Sequence, residues 1–291
     1  AANGLSADAV EAVFTAKGRP ADNPLILHVT SIDAAIPLWA ATTQQVAIAA
    51  ALADAFWPGP LSIVLKAASS VPNIVTAGLD SVAIRAPAGK AVQSVLQHCR
   101  FPLAAPSANL SGRPSPTRAG HVEHTLGGRI AAILDGGQTT IGIESTVIDL
   151  RSERPKLLRP GAISNDDLRS IIGEVAAKRP LGDAASPGLR HRHYQPVDIN
   201  LRLANREMIE SQWASAAGIA CSQRLALELG ERRAPTWIMP DTPGPYAAVF
   251  YDRLYTMEHS GVTEVYLQRP PQTGEWQAVN DRLTRAAGAT P

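Results

Sequence analysis

Two cations and an amide stand within seven residues of Lys17-Gly-Arg-Pro-Ala-Asp-Asn-Pro24, among two prolines and a glycine. A Lys ammonium is a point charge for phosphate oxygens. An Arg guanidinium offers a planar fork, and an Asn amide adds a neutral donor. Pro20 and Pro24 restrict the backbone, so less entropy is lost when an anion binds. A second reading stays open: Lys17 and Arg19 would equally suit a solvated turn that complements the C-terminal dipole of a preceding helix.

Two further stretches carry polar groups where an apolar pattern ends. Ala105-Pro-Ser-Ala-Asn-Leu-Ser-Gly-Arg-Pro-Ser-Pro-Thr117 gathers Ser107, Asn109, Ser111, Ser115 and Thr117 after an apolar run. Small hydroxyls and exposed backbone N–H groups are what a phosphate cradle needs, although an ordinary Ser/Pro turn has the same composition. Arg85 lies on the apolar pattern Ser81–Ala86, and Arg159 ends the run Lys156–Leu158 after Gly142-Ile-Glu-Ser-Thr-Val147. An Arg on a buried pattern calls for an anionic partner. That partner is either a core acid such as Glu144 or a ligand carboxylate.

These residues need elements to position them. Ser6 can cap a helix over 7–17 that Gly18 ends. Strands are expected at 25–30, 61–66, 81–86, 103–105, 130–134, 145–150 and 156–158, and helices at 43–56, 89–99 and 164–173. Ser164 with Asp167 forms a variant capping box for the last of these. Many strands with few, unevenly spaced helices predict a twisted α+β sheet. Residues 178–196 are basic and Pro/Gly-punctuated. Beyond them, a segment at 213–221, a helix near 223–229, a strand at 236–239, a helix at 246–259, a strand at 262–267 and a helix at 278–287 predict a small α/β domain. The domains are therefore drawn as 1–177, a linker at 178–197, and 198–291.

With 291 residues, 45% hydrophobic and 18% charged, the chain can build two cores. Residues 1–197 carry a net +3 and residues 198–291 a net −2, which favours an anionic ligand on the first part. Cys99 and Cys221 are far apart, so neither a disulfide scaffold nor a zinc site is expected, and a cytoplasmic setting fits. No run suits a membrane span. The P-loop, dinucleotide, Gly-x-Ser-x-Gly and His-Glu-x-x-His motifs are absent. His121-Val-Glu-His124 has the wrong spacing for a metal motif and reads as an exposed helix segment.

In order along the chain, KGRPADNPLILHV, PGPLSIVL, SVAIRAP, PSANLSGRPSPT, GIESTVIDL and LLRPGAIS resemble the threonylcarbamoyl-AMP synthases with the YrdC-like fold. The tail stretches Tyr251-Asp-Arg-Leu-Tyr255 and Asn280-Asp-Arg-Leu283 fit the long, two-domain form. The resemblance implies an α+β YrdC-like twisted mixed sheet with flanking helices, then a Rossmann-like C-terminal domain. It implies that L-threonine, bicarbonate and ATP give threonylcarbamoyl-AMP and pyrophosphate, with Mg²⁺, in service of threonylcarbamoyl-adenosine formation on tRNA. Partners would include tRNA and the downstream threonylcarbamoyl transferase machinery. By the same resemblance Arg19, Asn23, Ser81, Ser107, Ser115 and Arg159 would hold ATP, with Lys17 beside them on the phosphates. Lys17 and Arg19 would be the catalytic cations. His28, Arg85, Ala105 and Ser145 would shape the threonine site, His28 orienting substrate rather than binding metal.

The linker Ser186-Pro-Gly-Leu-Arg-His-Arg-His-Tyr-Gln-Pro196 is unusually rich in large side chains. In an extended chain Arg190, Arg192 and Tyr194 share one side. It is expected to act as a lid, with Tyr194 on the nucleotide. The family carries a Pro-Thr-Glu-Thr-Val-Tyr-Gly-Leu stretch before its first helix. This chain begins about where that stretch would end, so a core strand and part of the pocket are expected to be missing. Two other classes compete: an RNA-binding module with a vestigial nucleotide pocket, and a carbamoyl transferase of the hydrogenase-maturation type. The lack of zinc-finger cysteines opposes the latter.

Overall fold

The computed structural model describes residues 1–176 and 194–288. Residues 186–193 of the lid expected over 186–196 therefore lie outside the described residues. The chain divides into two compact units. The first comprises Ala1–Ser111, Glu123–Gly136 and, of the described residues, 144–176. The second takes in Gly112–Val122 and Gly137–Ile143 as well as the chain from Tyr194 on. Both inserted segments fall within residues 1–177, which the sequence pattern draws as one domain.

The first unit is built on β1 (Ala2–Asn3), α1 (Ala7–Lys17), β2 (Ile26–His28), α2 (Ile32–Ala35), α3 (Thr43–Phe56), β3 (Leu61–Lys66), α4 (Asn73–Thr76), β4 (Ser81–Arg85), α5 (Lys90–His98) and β5 (Leu103–Ala104). Helix α6 (Ala119–Leu126), β6 (Thr146–Asp149), β7 (Lys156–Arg159) and α7 (Asn165–Ile172) follow. Seven strands form one mixed sheet in the order β1-β5-β2-β4-β3-β6-β7.

Local chemistry sets the helix ends. The Ser6 hydroxyl accepts from the Ala9 N–H to start α1, and Gly18 ends it at φ 58, a left-handed conformation that glycine adopts without a Cβ clash. Capping boxes at Thr42/Gln45 and Ser164/Asp167 start α3 and α7.

Strand alternation then divides the sheet. Leu27, Ile63, Leu65, Val82, Ile84 and Ile148 turn to one face and join Val10 and Phe14 of α1, Leu52 of α3 and Leu168 of α7 in the main core. His28, Ser62, Val64, Ala83 and Arg85 fall on the opposite face. There Val64, Ala83, Val147 and Leu158 make only a small apolar cluster. The thin face is the one that carries the polar side chains.

The run 130–134 forms no strand, and Leu134 is 63% exposed. Arg-Ile-Ala-Ala-Ile-Leu lacks period-two alternation, and short apolar runs do not specify a strand without it. The helical reading of 121–124 is right, but His121 is half-buried rather than exposed.

The second unit holds β8 (Asn200–Ala204), α8 (Arg206–Gln212), β9 (Gly218–Ser222), α9 (Gln223–Leu229), β10 (Thr236–Met239), α10 (Pro243–Glu258), β11 (Glu264–Gln268) and α11 (Gln277–Ala286). Its sheet is wholly parallel, in the order β10-β9-β11-β8. Phe250 and Leu254 of α10 and Leu283 of α11 cover one face with Leu201, Val265 and Leu267. Ile209 of α8 and Leu225 of α9 cover the other with Ile219 and Cys221. Both faces of a parallel sheet must be covered, and these helices do so. No helix among the described residues is long and apolar enough to cross a membrane.

Candidate active site

The turn after α1 does not leave its cations in solvent. Lys17 is 5% exposed. Its ammonium donates to the Ser107 carbonyl at 2.5 Å and to the Asn109 carbonyl. The Ser111 N–H returns a bond to the Lys17 carbonyl at 2.9 Å. The end of α1 and the loop after β5 are thus tied together, although neither local pattern signals the other. Burial first, then the neighbouring Arg19, pushes Lys17 down to about 7.

Arg19 is braced within its own turn. Its Nε donates to the Asn23 carbonyl at 3.0 Å, and Nη2 donates to Asn23 Oδ1 at 2.8 Å and to the Pro24 carbonyl at 2.7 Å. Its guanidinium carbon lies 5.9 Å from the centre of the Phe14 ring. Asn23 is 2% exposed. Its amide oxygen orients Arg19.

On the thin sheet face β2 and β4 run parallel with His28 opposite Arg85. Arg85 Nε donates to the Gly59 carbonyl at 2.8 Å. Gly59 is required there, because a Cβ would lie 2.1 Å from the Phe56 carbonyl oxygen. That bond uses the side of the guanidinium and leaves the Nη1/Nη2 edge for another partner. No carboxylate among the described residues forms an ion pair with Arg85. Of the two partners considered for it, a core acid is therefore not the one seen. Burial, then Arg159, pushes Arg85 down to about 10.

His28 is buried, and burial followed by Arg85 pushes its imidazole down to about 4. Backbone groups of Leu103 and Ile26 pull the other way, while Nδ1 has no partner in hydrogen-bond geometry. The ring is neutral at physiological pH and has a ring nitrogen to spare.

Arg159, at the end of β7, is 4% exposed. Its Nε donates to the Ser145 carbonyl at 3.0 Å and Nη2 to Ser145 Oγ at 3.1 Å. Ser145 Oγ also lies 2.8 Å from Ser62 Oγ. Gly161 lets this corner close, since a Cβ there would meet the Thr146 nitrogen at 2.3 Å. Ala105 follows β5 and donates its N–H to the Ile26 carbonyl at 3.3 Å. Ser81 begins β4, on the same face as Arg85 but four residues away, roughly 13 Å along the strand. Its buried hydroxyl has no hydrogen-bond partner.

The first unit thus brings together Lys17 with Arg19, Asn23 and Ser107, and separately Arg85 with His28, and Arg159 with Ser145. Ser115 and Tyr194 belong to the second unit. Tyr194 sits in that unit's apolar cluster, its ring 5.4 Å from Tyr251. Sequence reading missed the roles of Gly59, Ser62 and the Asn109 carbonyl. All three act through tertiary contacts with residues distant in the chain.

Chemically, the first unit concentrates cations on a thin sheet face and a stiff turn, with two mutually repelling pairs: Lys17 with Arg19, and Arg85 with Arg159. Like charges gathered in this way favour an anionic ligand. Among the described residues, no group of three or more His, Cys, Asp or Glu side chains could hold a metal ion.

Residues 1–161 match the family described as telomere recombination, and residues 163–288 match the threonylcarbamoyl-AMP synthase C-terminal domain. The threonylcarbamoyl-AMP synthases of Pyrococcus abyssi (strain GE5 / Orsay) and Bacillus subtilis (strain 168) are each 36% identical over 299 residues. Those alignments cover 99% of this chain and 86% of each relative. The crystal structure of P. abyssi Sua5 complexed with L-threonine superposes with a TM-score of 0.88 at 36% identity, over 98% of this chain and 86% of that one. With both domains matched along nearly its whole length, the chain belongs to the threonylcarbamoyl-AMP synthase family, in its two-domain form.

Proposed function

We propose that this protein condenses L-threonine, bicarbonate and ATP into threonylcarbamoyl-AMP and pyrophosphate, the activated donor for threonylcarbamoyl-adenosine on tRNA. The observation that carries the reading is Arg85: a half-buried guanidinium, fixed through Nε, with no carboxylate partner among the described residues. Its free edge matches a substrate carboxylate. His28, neutral and beside it, would orient threonine, with Ala105 and Ser145 closing the same pocket.

ATP would be held by Arg19, Asn23, Ser81, Ser107, Ser115, Arg159 and Tyr194. Lys17 spends two of its three N–H donors on carbonyls, which leaves one for a phosphate oxygen. The threonine amine and bicarbonate form a carbamate with loss of water. A carbamate oxygen then attacks the α-phosphorus, and the bond to the bridging oxygen breaks to release pyrophosphate. The protein supplies positioning and positive charge, with no covalent nucleophile. Mg²⁺ prefers phosphate oxygens and retained waters, so it would enter with the nucleotide and neutralise its phosphates.

Pyrophosphate release from ATP, followed with threonine or bicarbonate omitted in turn, tests the proposal. Release should require both. Release indifferent to threonine would reject it. Salt-sensitive RNA binding without turnover would instead favour the RNA-binding module.

A further inference from the structure

Helix α10 carries an unexpected set of side chains on one stripe. Positions 248, 252, 255 and 258/259 recur at three- to four-residue spacing and so share a face. Asp252 is 7% exposed and the Glu258 side chain 4%. Glu258 is also the last residue of the helix, where the dipole disfavours an acid. Two buried carboxylates, one at an unfavourable end, need a compensating reason.

That reason is segment 112–122. Asp252 receives Arg118 Nε at 2.7 Å and Nη2 at 3.2 Å. Glu258 Oε1 receives Arg113 Nη1 at 2.8 Å and the Val197 N–H at 2.5 Å. The Tyr255 hydroxyl donates to the Pro114 carbonyl at 2.9 Å, and its ring stacks on His121 at 3.9 Å between centres. Segment 137–143 joins the same helix. Thr139 donates to the Thr117 carbonyl at 3.0 Å, and a Cβ on Gly142 would lie 2.2 Å from the Ala247 carbonyl oxygen. The segment between Arg113 and Arg118, which contains Ser115, is held from both ends and the middle.

We propose that α10 is a clamp that fixes the position of Ser115, so that Asp252, Tyr255 and Glu258 act as positioning residues for nucleotide binding. In this reading α10 presets the loop that carries Ser115. The inference rests on the reading of Ser115 as an ATP contact.

The test uses the full chain with Tyr255→Phe, Asp252→Asn and Asp252→Glu. Tyr255→Phe keeps the ring stack and removes only the hydroxyl, so it carries the test if Asp252→Asn fails to fold. Hydrogen exchange at 112–122 in the free protein should quicken about tenfold in Tyr255→Phe and Asp252→Asn, as expected for one lost hydrogen bond. By calorimetry, ATP should bind about tenfold more weakly while threonine affinity stays within about twofold. Asp252→Glu should restore most of the loss. Ser115→Ala combined with Tyr255→Phe should lose no more ATP affinity than the worse single variant, because both act through one contact. Unchanged exchange at 112–122, equal losses for ATP and threonine, or fully additive losses in the double variant would each overturn the clamp. These readouts need no turnover. A wild-type chain that binds ATP yet releases no threonine-dependent pyrophosphate would defeat the function reading and leave the clamp to its own result.

Discussion

Lys17 and Ser107 stand 90 positions apart in the chain, and the Lys17 ammonium donates to the Ser107 carbonyl at 2.5 Å. This bond joins the turn after α1 to the loop after β5. It also places a cation where burial holds it down to about 7, so the contact has consequences for both stability and binding.

Stability should rise with pH above neutrality because of this one group. The folded Lys17 titrates at about 7 against an ordinary 10.5. Between those values the unfolded chain binds a proton that the folded chain does not, so raising the pH favours folding. Below about 7 both states are protonated and the full cost of the buried charge remains. Lys17→Met should flatten the slope, as denaturant unfolding at pH 7.5 and 9.5 would measure. An identical slope in the variant would show that Lys17 is not the titrating group.

ATP binding at pH 8 should take up a proton. Phosphates favour the charged ammonium and raise its pKa again. Calorimetric binding enthalpies measured in Tris and in phosphate buffers should differ in wild type and agree in Lys17→Met. Buffer-independent enthalpies in wild type would place Lys17 away from the phosphates.

Arg85→Lys should weaken threonine binding by about 10- to 100-fold and leave ATP affinity within about threefold. Lysine keeps the charge but loses both the Nε anchor to Gly59 and the planar edge. Equal losses for both ligands would show that Arg85 does not grip the carboxylate.

The His28 ring should stay neutral throughout pH 5–8, since its pKa is down at about 4. Its NMR titration should fall below pH 5. In Arg85→Met it should move upward but stay below 6.5, because burial is the larger cause and remains. A His28 midpoint near 6.5 in wild type would contradict its burial beside Arg85.

What the sequence disclosed was local. The helix over 7–17 came from Ser6 and Gly18, and the helix over 43–56 from its apolar spacing; both boundaries match. The two-residue strand β1 gives no pattern to read, since two residues cannot alternate. The strand at 200–204 was missed although it begins a parallel sheet. Its alternation is short, with Leu201 and Leu203 separated by an exposed Arg202 that pairs with Glu264 on the neighbouring strand. The cation-rich turn and Arg85 were legible as residue types with unmet needs. That Gly59 fixes Arg85, that two distant carbonyls hold Lys17, and that Asp252 and Tyr255 hold the segment with Ser115 were not. Each depends on residues brought together only by the fold.

The central claim is that one molecule unites threonine, a carbonate carbon and AMP. Mass spectrometry of the products from ¹³C-bicarbonate, threonine and ATP tests it most directly. The account predicts a threonine-dependent adenylate that carries one ¹³C and forms in step with pyrophosphate. ADP and phosphate as the sole products, or an adenylate without the label, would contradict it.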